Sequence, residues 1–163
     1  MKYNTQTDQK WAKEIMTECH EKFRNWIDYL WRWGCLVTSI SNILQDHLNK
    51  PFTPKDMNDL IVQNKCYNYL RNPNCSVNTA SFLLLDKLQS IINATIINNL
   101  HFNKYNEKKN VYWIARIIHR TGGGHYINVI RKNANIWECF DVENGKIKSL
   151  KDKDITKLIK LEF

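Results

Sequence analysis

The spacing of apolar residues changes character near residue 94, and that change constrains the fold more than any other property of the chain. Before it, apolar side chains recur three and four apart, as in Leu36, Ile40, Ile43, Leu44 and Leu48, which is the period of a helix with one buried face. After it, β-branched and aromatic residues gather in short runs separated by glycine and asparagine turns. Helices first and strands afterwards imply an α+β domain, with N-terminal helices packed on a C-terminal antiparallel sheet. The 163 residues are enough for one core and too few for two ordinary ones, so 1–163 reads as a single domain.

Local signals place the elements. Trp11, Ile15, Cys19, Phe23, Trp26, Ile27 and Leu30 are close to helical spacing across 9–33, and Gly34 ends that stretch. A helix then starts at Cys35. A second one follows Thr53, a good N-cap with proline at the first helical position and Asp56 in the first turn, and runs to about Asn64. Residues 66–78 read as an irregular loop and 79–91 as a third helix. Strands are predicted over 94–97, 111–119, 125–131 and 136–142, with turns at Thr121–Gly124, Asn133–Asn135 and Glu143–Gly145. Residues 152–159 are predicted as a short closing helix.

Composition narrows the function classes. Hydrophobic residues at 43% and charged residues at 25% are the balance of a soluble globular protein. No apolar run approaches the roughly 18–20 residues that span a bilayer, and the polar Met1–Gln6 lacks the hydrophobic stretch of a signal peptide. The expected location is cytoplasmic, or the virion or host cytoplasm for a phage-encoded chain. Five cysteines without close pairing do not form a disulfide framework. The net charge of +8 follows lysines scattered among asparagine and isoleucine, the bias of AT-rich coding. Only Lys104–Lys109 and Lys146–Lys160 are locally basic, each with acidic residues mixed in, so nucleic acid is not the expected partner.

Three residues can carry chemistry together. Cys35 falls at a helix start, where unpaired N–H groups and the helix dipole favour thiolate over thiol. His125 opens a strand after Gly122-Gly123-Gly124, and Asp141 ends the following strand. If the two strands pair through their short turn, Asp141 comes near His125, although the sequence does not fix the register. A thiolate, its imidazole base and an orienting carboxylate are the parts of nucleophilic acyl transfer. The other cysteines, Cys19, Cys66, Cys75 and Cys139, read as small buried hydrophobes. His20, His47, His101 and His119 read as surface or structural, and no recognised metal-ligand spacing is present.

These segments also carry a family resemblance. Gln6-Thr7-Asp8-Gln9-Lys10-Trp11 resembles the Gln-x-Asp-x-x-Trp opening of the bacteriocin-processing-like (double-glycine-type) cysteine peptidase superfamily, a papain-like group of bacteria and phages. Gly34-Cys35-Leu36-Val37-Thr38-Ser39 resembles its nucleophile segment, and Phe52-Thr53-Pro54 its usual continuation. Gly124-His125-Tyr126-Ile127-Asn128-Val129 is similar to Gly-His-aromatic-x-x-Val. Phe140-Asp141-Val142-Glu143-Asn144-Gly145 resembles an aromatic-Asp-Pro-x-x-Gly segment in which Val142 stands for the proline.

The resemblance implies a papain-like cysteine peptidase fold and a Cys35–His125–Asp141 triad, with Gln6 helping to form the oxyanion hole. It implies hydrolysis of a peptide or isopeptide bond in a protein or peptide substrate, without a cofactor or metal. The alternatives are a peptidoglycan-cleaving amidase or endopeptidase, and a catalytically idle papain-like module that binds a phage or host protein. The charged 11–33 segment is longer than in many relatives, and whether it covers or lines the cleft separates the active from the idle reading.

Overall fold

The computed structural model describes residues 2–14, 34–68, 82–119 and 122–163. Among these, helix α1 spans Cys35–Leu48, α2 Pro54–Gln63 and α3 Leu85–Ile92. A two-residue pair, β1 (Tyr67–Asn68) and β2 (Phe82–Leu83), precedes α3. The strands β3 (Thr95–Leu100), β4 (Val111–Ile118), β5 (Gly124–Asn133), β6 (Ile136–Asp141), β7 (Lys146–Lys151) and β8 (Ile155–Glu162) form one antiparallel sheet in the order β3-β8-β4-β5-β6-β7. The α+β class expected from the periodicity change is the observed one.

The helix starts follow local chemistry. Thr53 caps α2 in a full capping box: its hydroxyl accepts the Asp56 N–H at 3.2 Å, and the Asp56 carboxylate accepts the Thr53 N–H at 2.8 Å. Helix α1 is buried on nearly every side, every residue from Val37 to Gln45 included. A helix buried all round lies inside the fold rather than on it. Its polar side chains therefore need protein partners. Ser41 donates to the Thr38 carbonyl at 2.9 Å, Gln45 Nε2 to the Lys2 carbonyl at 3.0 Å, and Asn42 bonds the main chain of Asn4.

The sheet separates two apolar clusters. One gathers Val37, Ile40, Ile43, Met57, Ile61, Ile114, Ile159 and Leu161 between the helices and the sheet. The other gathers Trp113, Ala115, Ile127, Trp137, Cys139, Ile155 and Leu158, with Phe102 and Tyr105 packed against it. Ile40, Met57 and Ile61 are fully buried, and truncating such a side chain to alanine typically costs about 2–5 kcal/mol.

Several expectations need correction. The closing helix over 152–159 is instead a 3₁₀ turn at Asp152–Asp154 followed by β8, which inserts between β3 and β4. Ile155, Leu158 and Ile159 carry helical spacing because Thr156 is an extra residue in the ladder: Ile117 pairs with Ile155 and Arg116 with Lys157. That bulge resets the alternation, so Ile155 and Leu158 join one cluster while Ile159 and Leu161 join the other. The third helix begins at Leu85, and Phe82–Leu83 pair with Tyr67–Asn68 where loop and helix were expected. Strand β7 was not anticipated. Of the 9–33 segment, residues 11–13 form a turn, and 15–33 lie outside the described residues. Among the described residues no helix is long and apolar enough to cross a membrane.

Candidate functional site

Cys35 is the first residue of α1 and is half-buried, whereas the other described cysteines, Cys66 and Cys139, are fully buried. Gly34 precedes it with φ −79° and ψ 11° and no side chain caps the helix. The N–H groups of the first turn therefore have no side-chain acceptor of their own to satisfy them. Burial pushes the Cys139 thiol up to about 12 and raises Cys66 as well, so neither is a nucleophile near neutral pH.

His125 stands at the start of β5, 4% exposed, and its Nε2–H donates to Asp141 Oδ1 at 2.7 Å. With Nε2 held by the carboxylate, Nδ1 is the ring nitrogen left to face Cys35, whose influence also raises the imidazole. Burial alone would lower the basicity of His125. The hydrogen bonds with Asp141 and Cys35 and their negative charge outweigh it, lifting the imidazole to about 9. At neutral pH the ring is an imidazolium paired with the Asp141 carboxylate.

Asp141 has no solvent exposure and is surrounded by donors. Besides His125, its Oδ1 accepts the Glu143 N–H at 3.0 Å, while Oδ2 accepts Asn144 Nδ2 at 2.9 Å and the Lys148 ammonium. Burial alone would make it a weaker acid. The bonds from His125, Lys148 and the Glu143 N–H more than offset that and hold the carboxyl well below the usual carboxylate range. The turn that supplies two of these donors closes through Gly145, whose N–H donates to the Asp141 carbonyl at 2.8 Å with φ at +72°. A left-handed conformation there favours glycine.

Gln6 comes to the same turn. It is 3% exposed, and its N–H donates to the carbonyl of Val142, the residue after Asp141, at 2.8 Å. Thr7 Oγ1 donates to the Glu143 carbonyl at 2.9 Å, and the Trp11 indole N–H to the Thr5 carbonyl at 2.7 Å. The N-terminal segment is thus laid along the β6–β7 turn, which joins Gln6 to the end of the strand that carries Asp141.

The glycines before His125 do different work. Gly122 takes φ +87° in the turn, and a side chain there or at Gly123 would meet nothing. Gly124 leaves room for the Arg116 guanidinium, which passes where a Cβ would be. At Gly124, beside His125, the space a side chain would need is thus taken by Arg116.

His119, read from the sequence as surface or structural, borders the site. Its Nε2 is 3.1 Å from Glu143 Oε2, and its ring centre lies 5.6 Å from that of His125. The β4–β5 turn brings it there, with the His119 N–H donating to the Gly123 carbonyl at 2.7 Å. The available signal was its position, one residue past β4 and across a glycine turn from His125. His119, Glu143, Asn144 and Lys148 line a cleft of about 370 Å³ together with Ile117 and Ile118.

Donor atoms of His125, Asp141 and Glu143 lie within 4.8 Å of one another, the one grouping among the described residues that could present ligands to a cation. The 2.7 Å separation of His125 and Asp141 is a hydrogen bond with a proton between them. Cys19 and Cys75, like Trp31 and Trp33, lie outside the described residues. Compared with models of known protein families and with curated proteins, the chain matches none.

Proposed function

We propose that this chain is a papain-like cysteine hydrolase that cleaves a peptide or isopeptide bond. The observation that carries the reading is the buried hydrogen bond between Asp141 and His125, with Cys35 at its helix start near enough to His125 to raise its basicity. A helix that presents a cysteine at its N-terminus, packed on a strand that presents a histidine, is consistent with the papain-like arrangement.

The chemistry follows from the charges. Cys35 sulfur attacks the carbonyl carbon as thiolate, forming a C–S bond. As the tetrahedral intermediate collapses, the C–N bond breaks, and the His125 imidazolium gives its Nδ1 proton to the leaving amine. Asp141 holds the ring by Nε2, so the proton to be donated stays on the side of Cys35. His125, now neutral, takes a proton from water, whose oxygen attacks the thioester and releases the acid. The Cys35 N–H and the Gln6 side-chain amide are the proposed oxyanion donors, and loss of one such donor typically costs roughly 10²–10³ in turnover.

Iodoacetamide near neutral pH tests the reading. Cys35 should be alkylated first, and faster than a free thiol, with Cys66 and Cys139 protected. Negligible or uniform reactivity among the cysteines would falsify the assignment of Cys35 as nucleophile.

A further inference from the structure

We propose that Asn42 is a positioning residue that sets the oxyanion arm, the N-terminal segment ending in Gln6; this rests on the cysteine-hydrolase reading above. Asn42 lies two turns beyond Cys35 on α1 and is fully buried. Its Oδ1 accepts the Asn4 N–H at 2.8 Å, and its Nδ2 donates to the Asn4 carbonyl at 3.1 Å and to Asn128 Oδ1 at 3.2 Å. By bonding both main-chain groups of one residue, a single amide does for Asn4 what a neighbouring strand would do. Asn128 Nδ2 in turn donates to the Ser39 carbonyl at 2.8 Å, so the same cluster ties the Cys35 helix to the His125 strand.

The consequence lies two residues further on. Asn4 is fixed on the helix that carries Cys35, and the Gln6 N–H is fixed on Val142 beside Asp141. The short span between these anchors determines where Gln6 sits. An apolar side chain of similar size at position 42 would fill the volume but take away the partner of both Asn4 main-chain groups in a part-buried contact. Asn42 touches none of the triad in the contacts described, so its effect on the chemistry runs through Gln6.

Two reactions of Cys35 separate this role from simple stabilisation. With p-nitrophenyl acetate, the sulfur forms a thioester as the C–O bond to p-nitrophenolate breaks, through a tetrahedral oxyanion. With iodoacetamide, the sulfur bonds a methylene carbon as iodide leaves, and no oxyanion forms. Asn42→Leu should slow acylation by about tenfold or more while alkylation changes by less than about twofold. Asn42→Asp, which keeps the acceptor for the Asn4 N–H and loses the donors, should give a smaller loss of the same selective kind. It supplies the test if the leucine variant does not fold. In a Gln6→Ala background, either substitution should cause no further loss of acylation. Equal losses in both reactions, or losses that add to that of Gln6→Ala, overturn the positioning role. A wild-type protein whose Cys35 outpaces a free thiol in neither reaction overturns the hydrolase reading itself.

Discussion

His125 and Asp141 come within 2.7 Å of each other because β5 carries one residue more than the ladder needs. Next to the β5–β6 turn, Arg131 pairs with Glu138; beyond it, Val129 pairs with Cys139, and Ile130 is the extra residue. Continuing the shifted register by one pair puts Asp141 opposite Ile127, diagonal to His125 on the same face. Without the bulge Asp141 would stand opposite Asn128 and share the face of Tyr126, on the far side from His125. A one-residue slip moves every side chain across the sheet, and here the slip assembles the pair.

The charge state of that pair gives a pH dependence. His125 titrates near 9 in the folded protein against an ordinary value near 6.5, so the folded form holds the proton more tightly. The stability this adds is fully present below about 6.5 and is lost as pH rises through about 9. NMR of the His125 ring should give a midpoint near 9 in the wild type. In Asp141→Asn it should fall by at least about one unit, because burial then works against a weaker partner. A wild-type midpoint below 7 would contradict an imidazolium in the resting site.

Lys148 should matter through Asp141. It ion-pairs with a carboxylate that has no solvent exposure, yet its own side chain is 39% exposed, so water screens the pair. Lys148→Met should cost only about 1 kcal/mol at neutral pH, with three donors still on Asp141. The native carboxyl is held below its ordinary value, so its contribution is present above about pH 3.8 and fades as pH falls further. The folded carboxyl stays ionised well below pH 3.8, so the gap in urea midpoint between the variant and wild type should hold down to about pH 3 and close only on further acidification. A gap that already closes above pH 4 would mean that the Asp141 carboxyl is not held below its ordinary value.

What the sequence disclosed about this site follows from the range of each signal. The start of α1 at Cys35 and the capping box at Thr53 and Asp56 are local, set by residues within one turn, and both were legible. The pairing of His125 with Asp141 depends on Ile130, a bulge that alternation in either strand alone does not reveal. Strand β8 hid for the same reason: its bulge at Thr156 gives Ile155, Leu158 and Ile159 the spacing of a helix. That bulge is locally satisfied, since Thr156 Oγ1 donates to the Arg116 carbonyl at 2.8 Å. His119 and Lys148 were overlooked because each reaches the site through a partner distant in sequence or across a strand pair, Glu143 for one and Asp141 for the other.

Gly145 is where the turn and the arm meet, and it gives the sharpest test of their coupling. Its φ of +72° disfavours any side chain, and a Cβ there would lie 3.1 Å from Thr5 Cγ2. Gly145→Ala should lose about 1–2 kcal/mol of stability from the left-handed backbone. The contact with Thr5 should also push the N-terminal segment away from the turn that Gln6 and Thr7 bond. Acylation of Cys35 by p-nitrophenyl acetate should then drop more than alkylation by iodoacetamide. Thr5→Ser removes the Cγ2 methyl and keeps the Thr5 carbonyl that accepts the Trp11 indole. In the double variant the selective loss of acylation should be relieved while the loss of stability remains. If Thr5→Ser does not restore acylation, the turn acts on the site through Asp141 and its donors, and not through the arm.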